Sequence, residues 1–126
     1  MASFIGAGAS NNVSGASSVI VGGVSNTASG ACSVVGGGQA NCSTAAYSGV
    51  LSGVCNRATS CFSIVSGGWC NFIGDPGFGQ SANFIGGGLS NCIPASFLNA
   101  YRNYIVGGTC NTASGYNAGI VGGWVS

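Results

Sequence analysis

The chain has 126 residues and only three charged ones, Arg57, Arg102 and Asp75, with no His, Lys or Glu. That inventory speaks against acid–base catalysis, which draws on His or carboxylates, against hard-cation sites, which need several carboxylates, and against nucleic-acid binding, which needs a basic patch. An apolar fraction of 46% with a net charge of +1 is equally unlike a disordered chain, which combines low hydrophobicity with high charge.

The opening MASFIGAGASNN lacks the positive start and solid apolar run of a secretory signal. No stretch of about 18 apolar residues follows, so no membrane insertion is expected. What starts here is a repeat. A Gly three residues ahead of an Asn occurs at Gly8 and Asn11, and again at Asn26, Asn41, Asn56, Asn71, Asn91 and Asn111, with Gly123 opening an eighth unit. The Asn spacings are 15 up to Asn71 and 20 thereafter. Six residues before each Asn stand Ile5, Ile20, Val35, Val50, Val65, Ile85 and Ile105, and Ile120 holds that place in the last unit. All are β-branched and favour strands. The reading is an all-β, single-stack β-solenoid of eight turns, spanning 1–126 as one domain, with each turn holding two short strands and two tight corners.

Strand side chains alternate, so residues two before the aliphatic column (Ser3, Ser18, Ser33, Ser48, Ser63, Asn83, Asn103, Ala118) and two after it (mostly Gly) are expected to face inward with it. The residue just before each Asn, mostly Ser, Ala or Cys, is expected to form a second inward column. The invariant Gly is expected at a corner, where a positive φ or a close backbone approach is needed. For Asn11, Asn26, Asn41, Asn56, Asn71, Asn91 and Asn111 the expectation is a structural ladder of amides bonded along the axis; a polar binding stripe is the alternative.

Outward columns read Phe4, Val19, Val34, Gly49, Ile64, Phe84, Tyr104 and Gly119 just before the aliphatic position, and Val21, Leu51, Val106 and Val121 among those just after it. Soluble monomers rarely expose so long an apolar strip. Phe4, Val19, Val34, Ile64, Phe84 and Tyr104 are therefore the expected interface of a homo-oligomer, a trimer being the expectation.

The two long turns carry FIGDPGFGQSAN after Asn71 and CIPASFLNAYRN after Asn91. Their extra residues fall at an equivalent place and are expected to stack into a ledge. Gly74-Asp75-Pro76-Gly77 is a turn signal. Trp69, Phe72, Asp75, Phe78, Phe97, Tyr101 and Arg102 form the candidate binding set there, since rings can stack on a sugar or fill a partner's pocket. The competing reading is that these rings cover the core or pack between subunits.

The seven Cys are odd in number and include no C-x-x-C pair. Only Cys55 and Cys70 share a column in adjacent turns, and side chains in register run parallel, a poor geometry for a disulfide. Free thiols point to folding in a reducing compartment, the cytosol. With no His and no ligand spacing, no zinc site, other metal or cofactor is expected. The N-x-S/T matches at Asn12 and Asn41 are weak in so Ser-rich a chain.

The pattern S-x-V-x-G-G-x-x-N-x-A-S-G, clearest in SVVGGGQAN and YIVGGTCNTASG, resembles the head repeats of trimeric autotransporter adhesins, and similar repeats in fibre proteins of phages and large DNA viruses. The resemblance covers roughly residues 3–126. It implies a left-handed parallel β-roll with three chains side by side, projecting from a virion or cell surface to bind host glycan or protein. The 15- and 20-residue turns depart from the family pattern, and its anchor and coiled-coil stalk are not in this sequence. A segment of a longer fibre is thus expected, and the thiols favour a viral or phage fibre over a bacterial adhesin head. An ice-binding solenoid is the competing non-enzymatic reading, but its regular Thr-x-Thr array is missing. A glycan-degrading tailspike normally needs two carboxylates, and Asp75 stands alone.

Overall fold

A computed structural model describes residues 2–74, 81–95 and 102–124. The described residues are all-β, with no helix, and coil into a stack of parallel rungs, a β-solenoid. One sheet stacks eight strands in the order β1 (Phe4–Ile5), β3 (Val19–Ile20), β5 (Val34–Val35), β7 (Gly49–Val50), β9 (Ile64–Val65), β11 (Phe84–Ile85), β13 (Tyr104–Ile105) and β14 (Gly119–Ile120). The second stacks six: β2 (Asn12–Val13), β4 (Thr27–Ala28), β6 (Cys42–Ser43), β8 (Arg57–Ala58), β10 (Phe72–Ile73) and β12 (Cys92–Ile93). A third row, not expected from the sequence, joins the rungs by single bridges through Ala9, Val24, Gln39, Val54, Trp69, Leu89, Thr109 and Trp124. Each turn therefore has three outer faces around one thin core.

Register follows the repeat without slip. Ile5 pairs Ile20, Ile20 pairs Val35, and so on to Ile105 and Ile120. The 20-residue turns keep that register: Val65 pairs Ile85, and Ile85 pairs Ile105. The aliphatic column is the core, fully buried from Ile20 to Ile105 and opening only at Ile5 and Ile120. The column two residues before it is buried too, from Ser18 to Asn103.

Two expected inward columns are corrected. The residue before each Asn faces solvent: Ser10, Ser25, Cys55, Cys70, Ser90 and Cys110 are exposed, and Ala40 is partly so. All seven have φ between 54° and 57°. A left-handed residue breaks strand alternation, so this side chain and its predecessor both leave the rod and the next one, Asn, enters it. The second inward column is instead two residues after Asn, where Ala28, Ser43, Ala58, Ile73, Ile93 and Ala113 are buried. The glycines two after the aliphatic column do not line the interior: a Cβ at Gly87, Gly107 or Gly122 would meet nothing within 4 Å. They sit where the backbone leaves the first sheet for the bridged row.

Candidate functional site

The Asn corner is built from two residue types that require each other. Gly8, Gly23, Gly38, Gly53, Gly68, Gly88, Gly108 and Gly123 all have positive φ, which Gly adopts without a Cβ penalty. A Cβ at Gly53 would also collide with the Gly68 carbonyl and come within 2.5 Å of the Asn56 amide nitrogen. The Asn side chain lies against this bare glycine. Asn56 Nδ2 donates to the Ser52 carbonyl (3.1 Å) and to the Gly68 carbonyl one rung on (2.8 Å), while its Oδ1 accepts from the Asn71 backbone N–H (2.9 Å). Asn26, Asn41, Asn71 and Asn91 repeat this set, Asn11 does so at the exposed end, and Asn111 repeats its two donations. The ladder thus runs mainly amide to backbone; a direct amide contact joins Asn71 Nδ2 to Asn56 Oδ1 at 3.2 Å. From Asn26 to Asn111 these side chains are fully buried, so they stitch the rod and present nothing to a ligand. Asn41, one of the two N-x-S/T matches, is among them.

A second, shorter Asn ladder accompanies the long turns. Asn83 and Asn103 replace Ser in the buried column, and Asn83 Oδ1 accepts the Asn103 N–H (2.9 Å) while Asn103 Oδ1 accepts the Ala118 N–H (2.7 Å). The signal in the sequence is the switch from Ser to Asn where the spacing changes from 15 to 20.

The ledge set is only partly described. Asp75, Phe78, Phe97 and Tyr101 lie outside the described residues. The bases of the two insertions do stack: the Gly74 N–H donates to the Ile93 carbonyl (2.8 Å) where they leave, and Asn103 bonds Asn83 where they rejoin. Trp69 and Phe72 flank the Asn71 corner on different faces. Trp69 stands 58% exposed in the bridged row. Phe72 is half-buried on the second sheet, with the Arg57 guanidinium 5.7 Å over its ring. Arg102 is exposed.

The expected interface residues do share one outer face. Phe4, Val34, Ile64, Phe84 and Tyr104 are exposed and Val19 is half-buried, with Val21, Leu51, Val106 and Val121 exposed beside them. Three of the rings lie close to glycines. A Cβ at Gly6 or Gly86 would meet the Phe4 or Phe84 ring at 3.3 or 3.4 Å, and one at Gly119 would collide with the Tyr104 ring. The adjoining bridged row adds exposed Val24, Val54, Leu89 and Trp124. Among the described residues the only charges are Arg57 and Arg102.

The strip has a notch at Gly49. Gly49 interrupts the column between Val34 and Ile64, leaving a cavity of about 330 Å³ lined by Cys32, Val34, Tyr47, Ser48, Gly49, Leu51 and Ile64. One wall is stiffened by Tyr47 stacked on Phe62, with centroids 5.0 Å apart and planes within 6°. The backbone does not demand Gly here. Its φ is not positive, and a Cβ would make ordinary contacts at 3.8 and 3.9 Å. No cluster of three or more His, Cys, Asp or Glu occurs among the described residues. No protein-family model matches the chain, and no curated protein is found to be similar to it.

Proposed function

We propose that this chain is a non-enzymatic structural and adhesive fibre segment that works as a homo-oligomer of side-by-side rods, a trimer being the favoured form. The observation that carries the reading is the apolar outer face, continuous along the rungs from Phe4 to Tyr104 and widened by the bridged row. Leaving a surface of this composition in water costs free energy in proportion to its area, and a near-neutral chain has little charge repulsion to keep copies apart. The notch at Gly49 supplies a socket for a side chain of the neighbouring rod. The resemblance to adhesin heads and to phage or viral fibres supports the same arrangement, with attachment to a host-surface glycan or protein and a place on a virion or cell surface. Seven free thiols favour a viral fibre assembled in reducing cytosol. No helix among the described residues is long and apolar enough to cross a membrane.

The test is native mass by light scattering, with and without reductant. The expected result is a particle of three times the 12.1 kDa chain, independent of reductant, and Gly49→Val shifts it toward monomer while the chain stays folded. A monodisperse monomer defeats the proposal.

A further inference from the structure

Of the seven cysteines, Cys55 and Cys70 alone occupy successive rungs of one exposed column. The backbone on either side of them is clamped in register. Val54 bridges Trp69 just before them, and Asn71 N–H bonds Asn56 Oδ1 just after, at 2.9 Å. The Cys70 N–H itself donates to the Val54 carbonyl (2.9 Å). Both residues have φ of 56° and both are exposed, free thiols. Their side chains therefore leave the rod in parallel, one rung apart, which for stacked strands is about 4.8 Å. The exposed Trp69 directly precedes Cys70 in the chain. The next rung on each side offers Ala40 or Ser90, so the pair is isolated within its column.

That spacing selects among the things two thiols can do. A disulfide draws the Cβ atoms to about 3.8 Å and the sulfurs to about 2.05 Å, which parallel side chains on clamped rungs do not favour. A linear two-coordinate ion is different. With two metal–sulfur bonds of about 2.3 Å, the length of a common thiolate–metal bond, it holds sulfurs about 4.6 Å apart, close to the rung step. Thiolates select soft ions, and the chain has no His to complete a tetrahedral zinc site.

We propose that Cys55 and Cys70 form a two-thiolate site for a soft d¹⁰ cation, Cu(I) being the biologically available one, with the Trp69 indole at its edge. Binding releases two protons: two neutral thiols and Cu⁺ become a Cu(I) bis-thiolate of charge −1 and two H⁺. No electron transfer is involved. Affinity therefore rises with pH, by about a hundredfold per unit below the thiol range if both protons leave. One chain supplies both ligands.

The experiment is an anaerobic Cu(I) titration of the full, reduced chain against a chromophoric Cu(I) chelator, reading chelator colour and Trp fluorescence. The expected result is one equivalent held against the chelator, with partial quenching, because Trp124 lies on a distant rung. Cys55→Ser and Cys70→Ser each lose that equivalent, whereas Cys32→Ser and Cys110→Ser keep it. Ser occupies the same column at Ser10, Ser25 and Ser90, so the variants are expected to fold, and circular dichroism checks that they do. Unchanged stoichiometry in Cys55→Ser or Cys70→Ser overturns the proposal. So does a two-dalton mass loss that maps to a Cys55–Cys70 disulfide on exposure to air, because the sulfurs would then meet at bonding distance.

Discussion

Two of the corners of each turn change direction through a left-handed residue, but by different means. At the Asn corner a positive-φ Gly, a left-handed residue and a buried Asn recur from Asn26 to Asn111, and at Asn56 three hydrogen bonds of one side chain close it. The opposite corner also uses a left-handed residue, but that residue is Ser17, Cys32, Tyr47, Phe62 or Asn117. Its main link along the axis is a backbone bond, such as Cys32 N–H to the Ala16 carbonyl (2.8 Å) or Tyr47 N–H to the Ala31 carbonyl (2.9 Å). Backbone bonds do not depend on residue identity. The second corner is therefore free to vary, and it is the corner that receives both insertions.

Breaking the first corner should have the largest effect. Asn56→Ala leaves the Asn71 N–H and the Ser52 carbonyl without their side-chain partner and removes one of two donors from the Gly68 carbonyl, which keeps the Val54 N–H (3.0 Å). At about 1–3 kcal/mol for each buried group left unsatisfied, with partial relaxation, we expect a loss of about 3–5 kcal/mol in chemical denaturation. Next comes Gly68→Ala, which sets a Cβ at φ +89° against the Gly88 carbonyl. Strain of that kind, with some overpacking, costs about 2–4 kcal/mol. Gly49→Ala, off the corners and with room for its methyl, should stay within about 0.5 kcal/mol of the parent, and a large loss there would contradict the open notch.

The second corner should respond weakly and with both signs. Ser48 Oγ bonds the Ala45 carbonyl (2.7 Å) and the Ser43 hydroxyl (2.7 Å), so Ser48→Ala should cost about 1–2 kcal/mol. Ser33 holds the same place with its buried hydroxyl unpartnered among the described residues, so Ser33→Ala should instead stabilise by about 1 kcal/mol. The same sign for both would show that the hydroxyls do not set this corner. The smallest effect is a pH dependence. Burial raises the Cys92 thiol above its ordinary value. A folded-state pKa above the unfolded one gives stability that is complete below the ordinary thiol range and is lost as pH rises through the raised value. Thermal midpoints should thus decline slightly at alkaline pH, and less so in Cys92→Ser.

What could be read from the sequence divides along the same line. The aliphatic column and the paired Gly and Asn were legible because burial and positive φ restrict those positions to a few residue types. The left-handed residue before each Asn was not. Ser, Ala and Cys carry no mark of positive φ, and their smallness imitated an inward column, so the true second core column at Ala28, Ala58, Ile73 and Ile93 was missed by three residues. The bridged row went unseen because a single paired residue has no alternation to detect. Of the ledge, the place of the insertions and their stacked bases were legible, but Trp69 and Phe72 proved to stand on different faces, because the Asn71 corner turns the chain between them.

Matched pairing of each column with itself has a consequence for how such a rod changes length. Every internal turn offers its successor the same donors, acceptors and aliphatic contact that it takes from its predecessor, so a duplicated turn fits between any two others without redesign of either. A rod of this kind can grow or shrink by whole rungs, in steps of about 4.8 Å, through simple gain or loss of a 15-residue unit. Reach is then a quantity that duplication can tune while the surface chemistry of the remaining turns stays as it was.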